Sequence, residues 1–395
     1  MGHLSIPPLP ELRKRRSAKW RTFDDDVLPL PVAEMDFPLA EPVARALHEA
    51  VDRSDTGYAA PTPELARAVS GYARRSWGWE VDVEHVRTVV DVGMAVVEVL
   101  RRIVAPGDRV VVSPPVYEPF AWWVREVGGQ VVEAPLADGP EGPRLDPEAL
   151  ERAFADQAVA YLLCNPHNPV GRVHGREELA TVARLADRYG VYVLSDEIHA
   201  PLVLPGAEFV PFLDVSEEAR RWGFSFLSAS KGWNLAGLKA ATVVTADPAP
   251  KRIVDRLSPH SLYRTGHFGV LATVAAFEEG GPWLDGVLDA LDHNRKLLDE
   301  LLTDLLPGVH CRRPEAGFLA WVDFRALDWG EDPAERVLSD ARVALNSGLR
   351  YGPSGAGFAR LNFGCSPDVL TEAVTRIAAA RRADRTGATN SQMSG

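Results

Sequence analysis

Residues 228–241 read SASKGWNLAGLKAA. They close a short apolar run, FSFLS (224–228), and put an ammonium group, Lys231, just after two serines among small and apolar residues, with Lys239 further on. The end of a buried strand is a poor place for a charged amine, because loss of water disfavours the cation. The flanking sequence shows what kind of sheet ends there. Upstream lie RVVVS (109–113), VAYLLC (159–164) and VYVLS (191–195), and downstream ATVVTA (241–246). Between the second and third of these, GREELATVARLADRYG carries Leu179, Val182, Ala183 and Ala186 at helical spacing and stops at Gly190. Short apolar runs alternating with helices predict an α/β fold, a mostly parallel sheet covered on both faces. From about residue 285 the pattern changes to a long helix through LDALDHNRKLLDELLTDLL and short strands such as GFLAWVDF and ARLNFG, which predicts a second, smaller domain.

The 395 residues, 46% hydrophobic and 25% charged, are ordinary for a globular chain of two or three domains. A net charge of −12 argues against nucleic acid as a partner, since phosphate binding needs concentrated positive charge. The one basic stretch, ELRKRRSAKWR, reads as a solvated arm or surface strap. Three cysteines, Cys164, Cys311 and Cys365, give neither a disulfide framework nor a zinc pattern, which fits a reducing cytoplasm. The start lacks the apolar core of a signal peptide, and no window approaches a membrane span, so a cytoplasmic protein is expected. Phosphate-loop, dinucleotide, nucleophile-elbow and HExxH motifs are absent.

In an open α/β sheet ligands bind beyond the carboxyl ends of the strands. After RVVVS comes Tyr117, after VAYLLC Asn168, after VYVLS Asp196 and His199, and after FSFLS Ser230 and Lys231. Singly, these read as a core aromatic, a turn amide, a helix cap and a satisfied histidine. Together they put a phenol, an amide, a carboxylate, an imidazole and an amine at four strand ends. A desolvated lysine attacks carbonyls. Pyridoxal phosphate needs this set: a lysine for its aldehyde, an acid for its ring nitrogen, an aromatic on its face, and donors for its phenolate and phosphate. Lys231 would be the Schiff-base lysine, with Ser228, Ser230 and Lys239 meeting the phosphate.

At this point the chain resembles the fold-type I pyridoxal phosphate enzymes of the aspartate aminotransferase superfamily, and among them the cystathionine and cysteine S-conjugate β-lyases of the MalY/PatB group. The resemblance covers residues 18–380 and rests on LPVAEMDF (30–37), GYAAPTPEL (57–65), APGDRVVVSPPVYEPF (105–120), CNPHNPVGR (164–172), SDEIHA (195–200), SASKGWNLAGLK (228–239) and GFARLNFG (357–364). It implies a large domain with a seven-stranded sheet over 49–284, an arm contributing to the small domain over 1–48, a small α+β domain over 285–383 and a flexible tail over 384–395. It also implies that Asp196 pairs with the ring nitrogen, that Tyr117 stacks on the ring and that Asn168 and His199 contact the phenolate oxygen. Phosphate donors would be amides around Val92 and Gly93, Ser228, Ser230 and Lys239, with Tyr58 entering from the other subunit of a homodimer. Arg360 would clamp the substrate α-carboxylate.

Three residues depart from the group's pattern. Glu34, near the substrate entrance, stands for the usual aspartate, Asp91 precedes the phosphate loop, and Gly317 replaces a frequent threonine. An acid beside a phosphate is unhelpful unless it caps the following helix. The expected reaction is elimination of a thiol from an S-substituted L-cysteine, giving pyruvate and ammonia. An aminotransferase, a decarboxylating or oxidative deamination, and a binding module that keeps the fold remain as alternatives.

Overall fold

The computed structural model describes residues 4–139 and 142–392. Its main sheet has seven strands, in the spatial order Val86–Val89, Ala241–Val244, Gly223–Leu227, Tyr192–Asp196, Ala158–Cys164, Arg109–Val112 and Gln130–Glu133. The last five in that order run parallel to one another, and Ala241–Val244 is antiparallel to both of its neighbours. The five strands expected from the apolar runs are therefore all present. Val86–Val89 and Gln130–Glu133 were not foreseen individually, and their sheet positions explain why. Both are edge strands, Val86–Val89 mostly half-buried and Gln130–Glu133 half-buried at Val131 and Val132 with exposed ends, so VRTV and QVVE lack the continuous apolar signature of a strand covered on two faces.

Side chains alternate between the two faces. Val110, Val112, Ala160, Leu162, Leu194, Phe224 and Phe226 face one buried cluster, while Val111, Tyr161, Leu163, Val193 and Leu227 face the other. Each fully buried aliphatic or phenyl group contributes about 2 kcal/mol by leaving water, so the sheet is gripped from both sides. The crossover helix Arg176–Tyr189 ends where expected, with Gly190 at φ +70, a left-handed turn that glycine adopts without strain.

The second sheet has four strands, Asn346–Ser347, Phe358–Asn362, Leu319–Asp323 and His310–Cys311, all antiparallel. The 25-residue helix Gly281–Leu305 leads into it, and the helix Pro367–Gln392 follows it. The polar end of the chain is helical to Gln392, and the rest of the expected flexible tail, 393–395, lies outside the described residues.

The basic N-terminal stretch is not simply a solvated arm. Lys19 is fully buried, its Nζ 2.7 Å from Asp36 Oδ1 and 3.3 Å from the Glu34 carbonyl. Downstream, Leu28–Pro29 pairs in parallel with Val343–Ala344, so the N-terminal segment is stitched to the smaller sheet's surroundings. The buried bridge fixes residues 31–37 as a strap. Arg15 adds a hydrogen bond to the Asp36 carbonyl, and the Asp36 N–H donates to Gly364.

Candidate functional site

A cavity of about 630 Å³ opens where the carboxyl ends of the main-sheet strands meet the smaller sheet. Its position follows from the topology. Strands Tyr192–Asp196 and Gly223–Leu227 end side by side, so Asp196 and the turn bearing Lys231 are neighbours. Ser228 caps that turn. Its Oγ accepts from the Ser230 N–H at 3.1 Å and donates to the Ala240 carbonyl at 2.7 Å. The single hydroxyl proton of Ser228 is thus already committed, whereas the Ser230 side chain is available to the cavity it lines.

Lys231 Nζ donates to the Ala33 carbonyl at 2.9 Å, in the strap held by Lys19. Loss of water and then the Arg360 charge push its pKa down to about 8, while Glu34 and Asp196 pull the other way. Asp196 is buried, and desolvation raises its pKa to about 6 against the Ile198 N–H and the Lys231 charge. Tyr117 lines the same cavity and packs edge-on against Phe120 and Trp123, with burial pushing its pKa up to about 12. His199 is also buried. Desolvation, then Lys231 and Arg360, hold its pKa near 3, so the ring is neutral, and its Nδ1 has no partner.

Arg360 projects from strand Phe358–Asn362 into the cavity. It is buried, donating through Nη1 to Asn168 Oδ1 at 3.2 Å and through Nη2 to the Pro31 carbonyl at 2.8 Å. Its guanidinium carbon lies 5.3 Å from the centre of the Tyr351 ring, and Nε is buried without a partner. Among the described residues no carboxylate pairs with it, and a buried cation without a counter-charge is costly. Because Arg360 takes Asn168 Oδ1, the amide nitrogen of Asn168 remains as a donor.

At the far end, the helix Val92–Ile103 points its N-terminus into the cavity. Gly93 is needed there because a Cβ would meet Trp123 Cζ2 at 2.8 Å. Asp91 is the N-cap, its Oδ1 accepting from the Met94 N–H at 2.8 Å, and its Oδ2 lies 3.3 Å from Lys239 Nζ. The acid therefore satisfies the helix and restrains the lysine.

Of the residues picked from sequence, Tyr117, Val92, Gly93, Asn168, Asp196, His199, Ser228, Ser230, Lys231, Lys239 and Arg360 line this one cavity. Two do not. Tyr58 is 79% exposed and stands edge-on to Tyr263 outside its own chain's cavity. Glu34 contributes its carbonyl, which accepts from Lys19 and from Asn362 Nδ2, while its side chain does not line the cavity. Gly317 sits at φ +78, a conformation side-chain-bearing residues rarely adopt, and a Cβ there would lie 3.5 Å from His199 Nδ1.

Sequence reasoning missed Asn234, Asn362 and Tyr351. Asn234 braces the lysine turn to the strap, accepting from the Met35 N–H at 2.9 Å and donating to the Met35 carbonyl at 2.8 Å. Asn362 ties the strap to strand Phe358–Asn362 through the Val32 and Glu34 carbonyls. The signal for Asn362 was available, because it is two residues from Arg360 on one strand and shares its face. Tyr351 comes from a 3-10 turn with no such pattern.

These groups fit pyridoxal phosphate: an amine with a lowered pKa, a carboxylate in the same cavity, an aromatic face, a helix N-terminus with a glycine, and a buried guanidinium with no carboxylate partner among the described residues.

The comparisons with known proteins agree. A protein of Mycobacterium leprae named "Putative cystathionine beta-lyase" is 46% identical, over 93% of this chain and 95% of its own. Cystathionine beta-lyase PatB of Bacillus subtilis is 36% identical, over 92% and 96%. The crystal structure of cystalysin from Treponema denticola, which contains a pyridoxal 5'-phosphate cofactor, superposes with a TM-score of 0.90 at 26% identity, over 96% and 98%. The profile for aminotransferase class I and II matches residues 25–377, and the chain belongs to that family.

Proposed function

We propose that the protein is a pyridoxal phosphate-dependent carbon–sulfur β-lyase. It takes an S-substituted L-cysteine and one water and gives a thiol, pyruvate and ammonium. The observation that carries this reading is the convergence in one cavity of the Lys231 amine, the buried Asp196 carboxylate and the unpaired Arg360 guanidinium. The names of the relatives in the two preceding bacteria point to the same chemistry.

When bound, the cofactor supplies an electron-accepting ring that stabilises negative charge at the substrate Cα. The chain's residues do the rest. Lys231 would hold the cofactor aldehyde, and its amine in the neutral form would take the proton from the substrate Cα. Asp196 keeps a proton on the ring nitrogen. Tyr117 covers the ring, and Asn168 Nδ2 and His199 meet the phenolate oxygen. The amides of Val92 and Gly93, with Ser230 and Lys239, receive the phosphate. Arg360 would bind the α-carboxylate and so orient the bonds at the substrate Cα. Ser228 acts by positioning Ser230.

We also propose a homodimer, in which the exposed Tyr58 completes the phosphate site of the other subunit. The three free thiols are compatible with the cytoplasm, and among the described residues no helix is long and apolar enough to cross a membrane.

The test is a reconstituted enzyme given a cysteine S-conjugate with no keto acid. Release of pyruvate and thiol in equal amounts supports the lyase. Turnover that requires a keto-acid acceptor would favour an aminotransferase and overturn it.

A further inference from the structure

We propose that the Glu118–Arg350 ion pair at the cavity mouth determines specificity by reading the far end of the sulfur substituent. It selects thioethers whose second arm ends in an α-amino acid group. The inference rests on the β-lyase reading above and adds the residues that recognise the leaving arm.

The charged groups around the cavity are few, and all but two have a task. Asp91 and Lys239 stand at the helix N-terminus, Asp196 and Lys231 at the reacting centre, and Arg360 at the carboxylate site. Glu118 and Arg350 remain, and both line the cavity. Arg350 Nε donates to Glu118 Oε2 at 2.7 Å.

Chain connectivity puts this pair in the right place. Glu118 follows Tyr117, which covers the ring, and Arg350 precedes Tyr351, which packs on Arg360. The pair is therefore one residue removed, on both sides, from the walls around the reacting carbon. A substrate held by Arg360 through its α-carboxylate has its sulfur arm free to extend toward the mouth. There an ammonium meets Glu118 and a carboxylate meets Arg350, so a zwitterion matches the ion pair in charge order. Arg350 presents a fork suited to a carboxylate.

The pair is also exchangeable. The Arg350 side chain is 51% exposed and that of Glu118 19%, so the arginine end of the bridge is open to water and screened, and a ligand that offers both charges can take it over from that side. It is not the sole tie between its two segments. The Val116 N–H donates to the Tyr351 carbonyl at 3.4 Å, and Gly352 lies against Pro114. A strut would not need the charges, whereas recognition of a zwitterion does.

The experiment compares kcat/KM for L-cystathionine with that for S-ethyl-L-cysteine, which lacks the distal zwitterion, on the holoenzyme. The wild type should prefer cystathionine, and the preference should shrink with added salt. In Arg350→Ala, and in the Glu118→Gln/Arg350→Gln pair that keeps shape without charge, the ratio of the two should fall about tenfold or more, with Arg350→Lys retaining part of it. A ratio that stays constant while both values drop together would make the pair an interdomain strut and overturn the inference, as would a ratio that no variant changes. Wild-type enzyme that cleaves S-ethylcysteine without preferring cystathionine overturns the inference alone. Cleavage of neither substrate overturns the β-lyase reading, and this one with it.

Discussion

Lys239 Nζ lies 3.3 Å from Asp91 Oδ2, while the other oxygen of Asp91 caps the helix that would receive a phosphate. The acid is thus tolerated beside an anion site because it is bound to two partners. It still opposes a dianion electrostatically. Asp91→Asn keeps an equally good cap and removes the charge. Pyridoxal phosphate should then bind about threefold to tenfold tighter, measured by titrating apoenzyme. Asp91→Ala should instead lose about 1 kcal/mol of stability in urea denaturation. Weaker cofactor binding in Asp91→Asn would show that the carboxylate organises Lys239 rather than restraining it.

Lys231 gives a prediction in pH. Its amine must be neutral to attack an aldehyde, and burial holds its pKa near 8 against an ordinary value of 10.5. At pH 7 this leaves on the order of a hundredfold more neutral amine than a solvated lysine has. The rate of covalent cofactor attachment to apoenzyme, read from visible absorbance, should rise with pH through about 8 and then level off. A rate still climbing at pH 10 would contradict the lowered pKa. Lys231→Ala should bind the cofactor without covalent attachment and lose turnover.

The parts of this protein that are legible in its sequence are those whose signal is local. The four strands that end in Val112, Cys164, Asp196 and Leu227 are buried on both faces, so RVVV, YLLC, YVLS and FSFL declare themselves, and the residues after them fall at the cavity by topology alone. What escaped depends on contacts between distant segments. Lys19 looks like one more base in a basic run, and only Asp36 makes it a core residue. The Ala33 and Pro31 carbonyls that receive Lys231 and Arg360 carry no side-chain signature at all. Tyr58 is exposed, and the role proposed for it lies in a second chain, which no pattern within one chain announces.

Asp196 titrates in a useful range. Burial raises its pKa to about 6, so the carboxylate proposed to hold the ring proton is lost as pH falls below 6. Activity should therefore have an acid limb at or below that value, since the cofactor's own positive nitrogen favours the ionised form. In Asp196→Asn the cofactor should remain bound, while kcat falls by on the order of a hundredfold or more. Unchanged kcat would remove Asp196 from the chemistry.

Arg360 makes two hydrogen bonds and retains a buried, unpartnered Nε. Arg360→Ala should lower kcat/KM by roughly a hundredfold or more, about 3 kcal/mol, mostly through KM. Arg360→Lys should recover little, because one ammonium cannot serve Asn168, Pro31 and a substrate carboxylate together. Full recovery would mean that charge alone, not the planar fork, holds the substrate.

The Lys19–Asp36 bridge supplies the last prediction. Both side chains are 0% exposed, Asp36 Oδ2 has no partner, and burial raises the Asp36 pKa despite Lys19. Removing one member leaves the other charged and alone in the core. Lys19→Met should therefore cost about 3–5 kcal/mol of stability, and adding Asp36→Leu should return most of it, because the burial penalty goes with the charges. The sign with pH follows from the raised pKa. A carboxyl that binds its proton more tightly folded than unfolded favours the folded state in acid, and this contribution fades as pH rises through the folded pKa. In Lys19→Met, where the lysine no longer pulls that pKa down, the destabilisation should therefore be smaller at pH 5 than at pH 8 in urea denaturation. Catalysis should report the same event, since this bridge steadies the strap whose carbonyls hold Lys231 and Arg360. KM should rise in Lys19→Met even at temperatures where the protein stays folded. A stable Lys19→Met with unchanged KM would show that Asn234 and Asn362 hold the strap without the buried pair.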